Sequence, residues 1–545
     1  MQLESEPRFN SRRSVVHATR GMVATSQPLA SQAGLSVLMQ GGNAADAAVA
    51  CAAALNVTEP CSTGLGGDFF ALYREAATGE ISALNGSGRA PRALTLERLA
   101  REGITDAWPL FHAHAITVPG ACAAWCDLLD RFGRLGRGTV LEPAIRLAEE
   151  GFPVAPLTAR AWARGKESQL DQSPGGAELL IAGRAPRAGE LMRNPTLANT
   201  LRTIAEGGSD VFYRGPIAES VASVVSEFGG TMTAEDMAAH ESTWETPISV
   251  SGHGVRLHEC PPNGQGLTAL LALNILGCLD LPALGDPLSA PRLHHAVEAF
   301  RLAFADAMWH VTDPTFSAVP VEELLSRDYA QRRAKEIDPN RATADPKRGS
   351  PTASSDTVYF CVVDGEGNAC SVVNSNYMGF GTGIVAPGTG FTLQNRGHNF
   401  SLDPKHPNAL APGKRPYHTI IPALATRESD GSLFAAMGVM GGFMQPQGHV
   451  QVFLALTLDG LDPQAALDRP RFCLEAGESR GKVALEEGIS PEVLAQLQAM
   501  GHRVHSVAGH ERSLFGRGQV ILRDPVSGVL SAGSDPRADG CAMGF

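Results

Sequence analysis

The sequence predicts an α+β protein in which helical and strand-rich blocks follow one another along the chain. Three observations carry this reading. Two helices of small apolar residues come early, a long middle stretch has helical periodicity, and short β-rich segments joined by tight polar turns follow residue 357. Composition agrees: 43% of the 545 residues are hydrophobic and 19% charged, and 59 Gly and 36 Pro imply many tight connections. A usual domain size of ~100–200 residues allows three or four units. Two closely packed segments are expected instead.

Residues 28–56 read as two helices around Gln40-Gly41-Gly42-Asn43. Leu29, Ala33, Val37 and Leu38 line the first. The second, AADAAVACAAALNV, is nearly all small and apolar and so suits very close packing. Asn43 is placed to cap it and Gly42 to turn the chain into it. Residues 61–72 form a glycine-rich turn feeding a strand, which is expected to return as a hairpin through 81–84. The turn lacks the Lys-Ser/Thr ending of a phosphate loop and the strand-Gly-helix setting of a dinucleotide fingerprint, so it reads as close backbone packing near an active site.

Residues 93–250 are expected to be predominantly helical, with helices at 120–132, 141–150 and near 217–228. Pro-Asn-Gly-Gln-Gly at 262–266 introduces a strongly apolar helix. Another follows at 291–310, where Leu293, Val297, Phe300, Phe304, Ala307 and Met308 trace a core-facing stripe. RATADPKRGSPTASSD at 341–356 reads as an exposed loop or processing linker. Strands are expected at 357–363 and 369–375, joined as a hairpin by Asp-Gly-Glu-Gly-Asn, and at 418–426, 432–437, 518–523 and 528–532. Helices are expected at 446–457 and 490–500.

Lys and Arg total 45 against 57 acidic residues, and a net charge of −12 argues against nucleic acid or an anionic membrane as partner. A small-molecule substrate fits better. The N-terminal MQLESEPRFNSRRSVVHATRG has no apolar core of a signal peptide. Apolar runs such as 44–57 fall short of the ~20 residues of a membrane span, so a cytoplasmic location is expected. The ten cysteines have no CxxC pairing and read as buried free thiols. Neither a metal nor a cofactor is expected, because the nearest histidine pair, His294–His295, points to different sides of any helix.

Thr357 begins a strand directly after the polar linker, in Ser-Ser-Asp-Thr-Val-Tyr-Phe-Cys. Freed at an N-terminus, it would carry a hydroxyl nucleophile together with an α-amine of pKa ~7.7, its own general base.

An ordered set of motifs completes the picture: Gly41-Gly-Asn-Ala-Ala-Asp46, Gly64-Leu-Gly-Gly67, Pro262-Asn-Gly-Gln-Gly266, Asp356-Thr357 with Val362-Val-Asp364, Phe380-Gly-Thr-Gly383, Lys414-Arg-Pro416, Gly441-Gly442 and Asp535-Pro-Arg537. In this order the chain resembles the γ-glutamyltransferase family, also called γ-glutamyltranspeptidases or glutathione hydrolases, over essentially its full length. The resemblance implies a four-layer αββα sandwich of the N-terminal nucleophile hydrolase type, made as a proenzyme that cuts itself between Asp356 and Thr357. The pieces, 1–356 and 357–545, would form one intertwined heterodimer, with a higher oligomer open. It further implies an acyl-Thr357 intermediate resolved by water or an amino-acid acceptor, Ser375 as the hydroxyl supporting the nucleophile, and Gly441 and Gly442 as oxyanion donors.

Recognition departs from the family pattern. Glutathione-cleaving members hold the substrate carboxylate with an arginine in Arg-Glu-x-Ala-Pro, whereas this chain has Ser87-Gly88-Arg89-Ala90-Pro91. An aspartate that holds the substrate amine is replaced by Asn399, a serine pair by His418-Thr419, and an asparagine by Tyr377, and Arg396 is gained. Arg89 and Arg396 are therefore the candidate carboxylate anchors. Transfer or hydrolysis of a γ-glutamyl group from an amide such as glutathione is the leading expectation. The alternatives are an oxamate-like or glutaryl-like amidohydrolase and a non-catalytic homologue that stays uncut.

Overall fold

The computed structural model describes residues 13–343, 357–475 and 481–545. Two seven-stranded antiparallel sheets face each other. One runs in the order Cys541–Gly544, Gly21–Thr25, Val358–Asp364, Ala369–Ser375, Asp68–Arg74, Ile81–Gly86 and Thr243–Glu245. The other runs Val16–Ala18, Leu530–Ser534, Arg517–Arg523, Leu433–Met440, Ala423–Arg427, Val255–Glu259 and Ile248–Gly252. Period-two alternation assigns the two faces of each strand. Val358, Phe360 and Val362 join the helices Pro28–Met39 and Ala44–Thr58 in one core. Tyr359, Cys361 and Val363 join Leu424, Ala436 and Ile521 in a second core between the sheets. A third core packs Leu257, Ala425 and Val439 against the helices Gly266–Leu276, Ala290–His310 and Met444–Thr457. Three cores stacked in this way make four layers, the αββα sandwich of the N-terminal nucleophile hydrolases.

The early helices form as their sequence suggests. Asn43 accepts from the backbone N–H groups of Ala45 and Asp46 while Asp46 accepts from Asn43 N–H, a capping box worth about 1 kcal/mol. All residues of Ala44–Thr58 are buried, and a Cβ on Gly34 would lie 2.4 Å from Cys51 Sγ, so the small side chains do set the helix spacing. The turn into the second helix differs in detail: Gly41, with φ +92°, takes the left-handed conformation, and Gly42 does not.

Other expectations need correction. The middle is helical only to Ala238, because Thr243–Glu245, Ile248–Gly252 and Val255–Glu259 are strands. The strand expected at 418–426 starts at Ala423, leaving His418 and Thr419 in irregular backbone. Thr357 precedes its strand rather than opening it. The processing linker, Asp356 included, lies outside the described residues. None of the ten cysteines forms a disulfide; eight are buried, and Cys278 and Cys541 are partly exposed. Among the described residues no helix is long and apolar enough to cross a membrane.

Candidate active site

Thr357, Ser375 and Asp68 stand at the ends of three adjacent strands. Strand register places Ser375 opposite Asp68 and Asn374 opposite Val358. By alternation, all three side chains point into the space between the sheets, with Tyr359, Val373 and Phe70 as their same-face neighbours. The glycine-rich turn permits this approach. A Cβ on Gly66 would fall 2.0 Å from Thr392 O, and one on Gly67 would fall 2.3 Å from Ser375 O.

The Thr357 and Ser375 hydroxyl oxygens lie 2.9 Å apart and both residues are buried. Ser375 Oγ accepts from Tyr377 N–H at 2.9 Å and from Arg396 Nη2 at 3.2 Å. A hydroxyl has two lone pairs and one proton. With these two donors in place, Ser375 can still give its own proton to the Thr357 oxygen, which suits it to stabilise charge there as that oxygen attacks. Ser375→Ala is expected to lower kcat by about 10²-fold with little change in KM, a loss like that of one oxyanion donor. Steady-state kinetics on protein with a wild-type circular dichroism spectrum would measure it, and an unchanged kcat would remove Ser375 from this role.

Arg396 is fully buried. Its Nη1 donates to Thr419 Oγ1 at 2.6 Å, its Nε is 3.9 Å from Asp68 Oδ2, and its guanidinium lies 4.4 Å above the Tyr377 ring. Burial pulls its pKa down to about 10, which leaves it cationic at neutral pH. Tyr377 holds φ +79°, a left-handed conformation that costs a non-glycine residue about 1–3 kcal/mol and is typical of functional sites.

Asp68 is the residue the sequence reading missed. Its Oδ1 accepts from Gly88 N–H and Gln394 Nε2, each at 2.9 Å, and its Oδ2 accepts from His418 Nε2 at 2.8 Å. Burial alone would raise its pKa, but the His418 hydrogen bond, the charge of Arg396 and the Gly88 N–H more than offset this and hold it below the usual carboxylate value. His418 accepts from Ile420 N–H on Nδ1 at 3.3 Å, so its single proton sits on Nε2. Burial, then the charge of Arg396, pushes its imidazolium pKa down to about 3, so the ring is neutral. A lone acid opening the otherwise apolar strand DFFALYR was the available signal.

Gly441 and Gly442 take φ +132° and +58°. Their carbonyls turn to the following helix, accepting from Met444 and Gln445 N–H, while their own N–H groups donate to no described residue. That is the state required of donors awaiting an oxyanion. Gln265, from the 262–266 motif, donates to Gly442 O at 2.8 Å and to Thr419 O at 2.6 Å, tying this turn to the Arg396 cluster.

Two predicted recognition residues make no side-chain hydrogen bond to Thr357, Ser375, Arg396 or Asp68 among the described residues. Arg89 donates to Glu241 O at 3.3 Å and has no hydrogen bond to this cluster. Asn399 donates to Tyr417 O at 3.0 Å. The arginine bonded beside Ser87 is Arg415, whose Nε donates to Ser87 O at 3.1 Å. The last motif is structural: Asp535 accepts from Arg471, Arg537 and Gly518 N–H.

The sequence model of the Gamma-glutamyltranspeptidase family matches residues 30–545. The chain belongs to this family. It is 39% identical over 537 residues to the oxamate amidohydrolase proenzyme of Klebsiella pneumoniae, covering 97% of this chain and 99% of that protein. It is 38% identical over 534 residues to the glutathione hydrolase-like YwrD proenzyme of Bacillus subtilis, covering 97% and 99%. The crystal structure of cephalosporin acylase from Bacillus halodurans superposes with a TM-score of 0.92 at 46% identity, covering 100% of this chain and 99% of that one. This γ-glutamyltranspeptidase-family member is an enzyme of the N-terminal nucleophile class, acting on an amide or acyl substrate.

Proposed function

We propose that the protein is a self-processing amidohydrolase whose donor is a short amide carrying a carboxylate next to the scissile carbonyl, the oxamate class. The observation that carries this reading is the position of Arg396. Its guanidinium is 3.2 Å from Ser375 Oγ, which is itself 2.9 Å from Thr357 Oγ1. A carboxylate held there lies beside the carbonyl under attack. Its present acceptors are neutral hydroxyls, and a carboxylate makes hydrogen bonds roughly twice as strong. The positions that serve a γ-glutamyl group support it less: Ser87 carries no charge, and Asn399 supplies no counter-charge for an ammonium. The oxamate amidohydrolase relative points the same way.

In this reading Thr357 Oγ first attacks the Asp356 carbonyl. The peptide nitrogen becomes the free amine of Thr357, and water cleaves the resulting ester. In turnover, Oγ attacks the donor amide as the α-amine takes its proton. The Gly441 and Gly442 N–H groups hold the oxyanion, the leaving nitrogen departs protonated, and water releases the acid from Thr357. A longer glutaryl-like donor is the second reading, favoured by the likeness to cephalosporin acylase. Amine release from oxamate, a glutaryl amide and a γ-glutamyl anilide would separate them. Oxamate is expected to give a kcat/KM at least about tenfold above the others. A higher value for either longer donor would replace the proposal.

A further inference from the structure

Far from Thr357 in the fold, on the outer helical layer, His294, Glu298 and His502 come together with their nitrogen and carboxylate atoms within 4.8 Å of one another. All three are buried. His294 and Glu298 are one turn apart on the helix Ala290–His310, and His502 arrives just ahead of the strand Val504–Val507. The sequence paired His294 with its neighbour His295, whereas the fold pairs it with a histidine 208 positions away.

Proton bookkeeping exposes a conflict. His294 Nε2 lies 2.7 Å from Asp338 O, which can only accept, so the ring proton sits on Nε2 and Nδ1 keeps a lone pair. His502 Nε2 lies 2.7 Å from that Nδ1 and must donate. His502 Nδ1 is then a bare lone pair facing Glu298 Oε1 at 4.0 Å, a second acceptor, and neither atom has a hydrogen-bond partner among the described residues.

We propose that His294 Nδ1 and His502 Nε2 ligate a zinc-class divalent transition-metal ion, with Glu298 holding His502 from behind. The ion replaces the proton between the two imidazoles. That proton moves to His502 Nδ1, where it faces Glu298 Oε1, so both orphaned atoms gain a partner and no proton is released. Asp338 O fixes the His294 tautomer, and the carboxylate–histidine–metal arrangement is the usual outer shell of such ligands. Admitting an ion at ~2.0–2.1 Å from each nitrogen at a tetrahedral angle requires the nitrogens, now 2.7 Å apart, to part to about 3.4 Å and the rings to turn off their shared axis. Imidazole donors select Zn²⁺, Co²⁺ and Ni²⁺ over Mg²⁺ and Ca²⁺. Arg301, with Nε 3.5 Å from Glu298 Oε1, offsets the carboxylate and removes the charge a hard cation needs. The same residues grip the chain where it heads toward Thr357: Thr343 N–H donates to Glu298 Oε2 at 2.9 Å and Arg301 donates to Thr343 O at 3.2 Å.

Tag-free, chelator-stripped full-length protein titrated with Zn²⁺, Co²⁺ and Mg²⁺ tests the site. The expected result is one equivalent of Zn²⁺, a visible Co²⁺ spectrum of nitrogen ligation, and no Mg²⁺ uptake. His294→Gln and His502→Gln should each bind Zn²⁺ at least about tenfold more weakly, with unchanged circular dichroism. A wild-type protein that takes up no equivalent overturns the proposal, as do glutamine variants that both bind like wild type. Should the variants fail to fold, the wild-type Co²⁺ spectrum decides: one indistinguishable from hexaaquo cobalt overturns the site.

Discussion

Thr357→Ala is expected to leave a single 57.3 kDa chain with no turnover of any amide donor. The hydroxyl it deletes serves twice in the proposed chemistry, once against the Asp356 carbonyl and once against the donor. Loss of a nucleophile from a site that acts as a unit costs about 10⁴-fold or more in kcat. Intact mass and fragment sequencing read the first role, and donor kinetics read the second. Wild-type protein should give a fragment beginning Thr-Val-Tyr-Phe-Cys. Wild-type enzyme that works as one uncut chain, or an alanine variant that still matures and turns over, would overturn the assignment. The alanine variant should fold, because Thr357 lies ahead of its strand and alanine keeps the backbone unchanged.

Loss of the Arg396 charge ranks next in expected effect. Arg396→Gln is predicted to lower kcat/KM for carboxylated donors by about 10²- to 10³-fold, and for matched uncharged amides by only about tenfold. The first loss reflects the missing counter-charge, and the second the donor that Ser375 loses. Glutamine is a better probe than methionine. Asp68 is fully buried beside Arg396 and loses that counter-charge in either variant, but glutamine leaves polar donors in the buried cluster where an apolar side chain leaves none. Equal losses on the two donor types, in a variant with a normal melting temperature, would remove Arg396 from recognition.

What the sequence made legible follows from how local each signal is. Thr357 could be read because a polar linker meets an apolar strand there, and the capped small-residue helix because its box lies within four residues. Asp68 could not be read in the same way. It opens a strand that otherwise looks like pure core, and its meaning comes from His418, 350 positions away, and from Arg396. Arg89 looked like a displaced anchor because it is near Ser87 in sequence, yet Arg415 is the arginine that reaches Ser87 in space. Thr243–Glu245 and Ile248–Gly252 were absorbed into the helical block because they are short and lie at sheet edges, where burial and hence patterning are weak. The Tyr377 conformation left no trace in residue type at all.

The strand Val358–Asp364 lies between Gly21–Thr25 and Ala369–Ser375, and Ala369–Ser375 pairs in turn with Asp68–Arg74. Strands from either side of the proposed cut are thus interleaved in one sheet. Scission ahead of Thr357 would sever one covalent bond and no ladder, so the pieces would stay together without a separate docking surface. It also gives maturation a direction in time. Thr357 and Ser375 meet within one hairpin of the later segment, but Ser375 comes opposite Asp68 only once strands from both segments have paired, so in this reading folding precedes cutting. Two fragments produced separately would have to assemble the interior of a sheet from halves, and coexpressed halves should therefore recover activity far less readily than the intact chain.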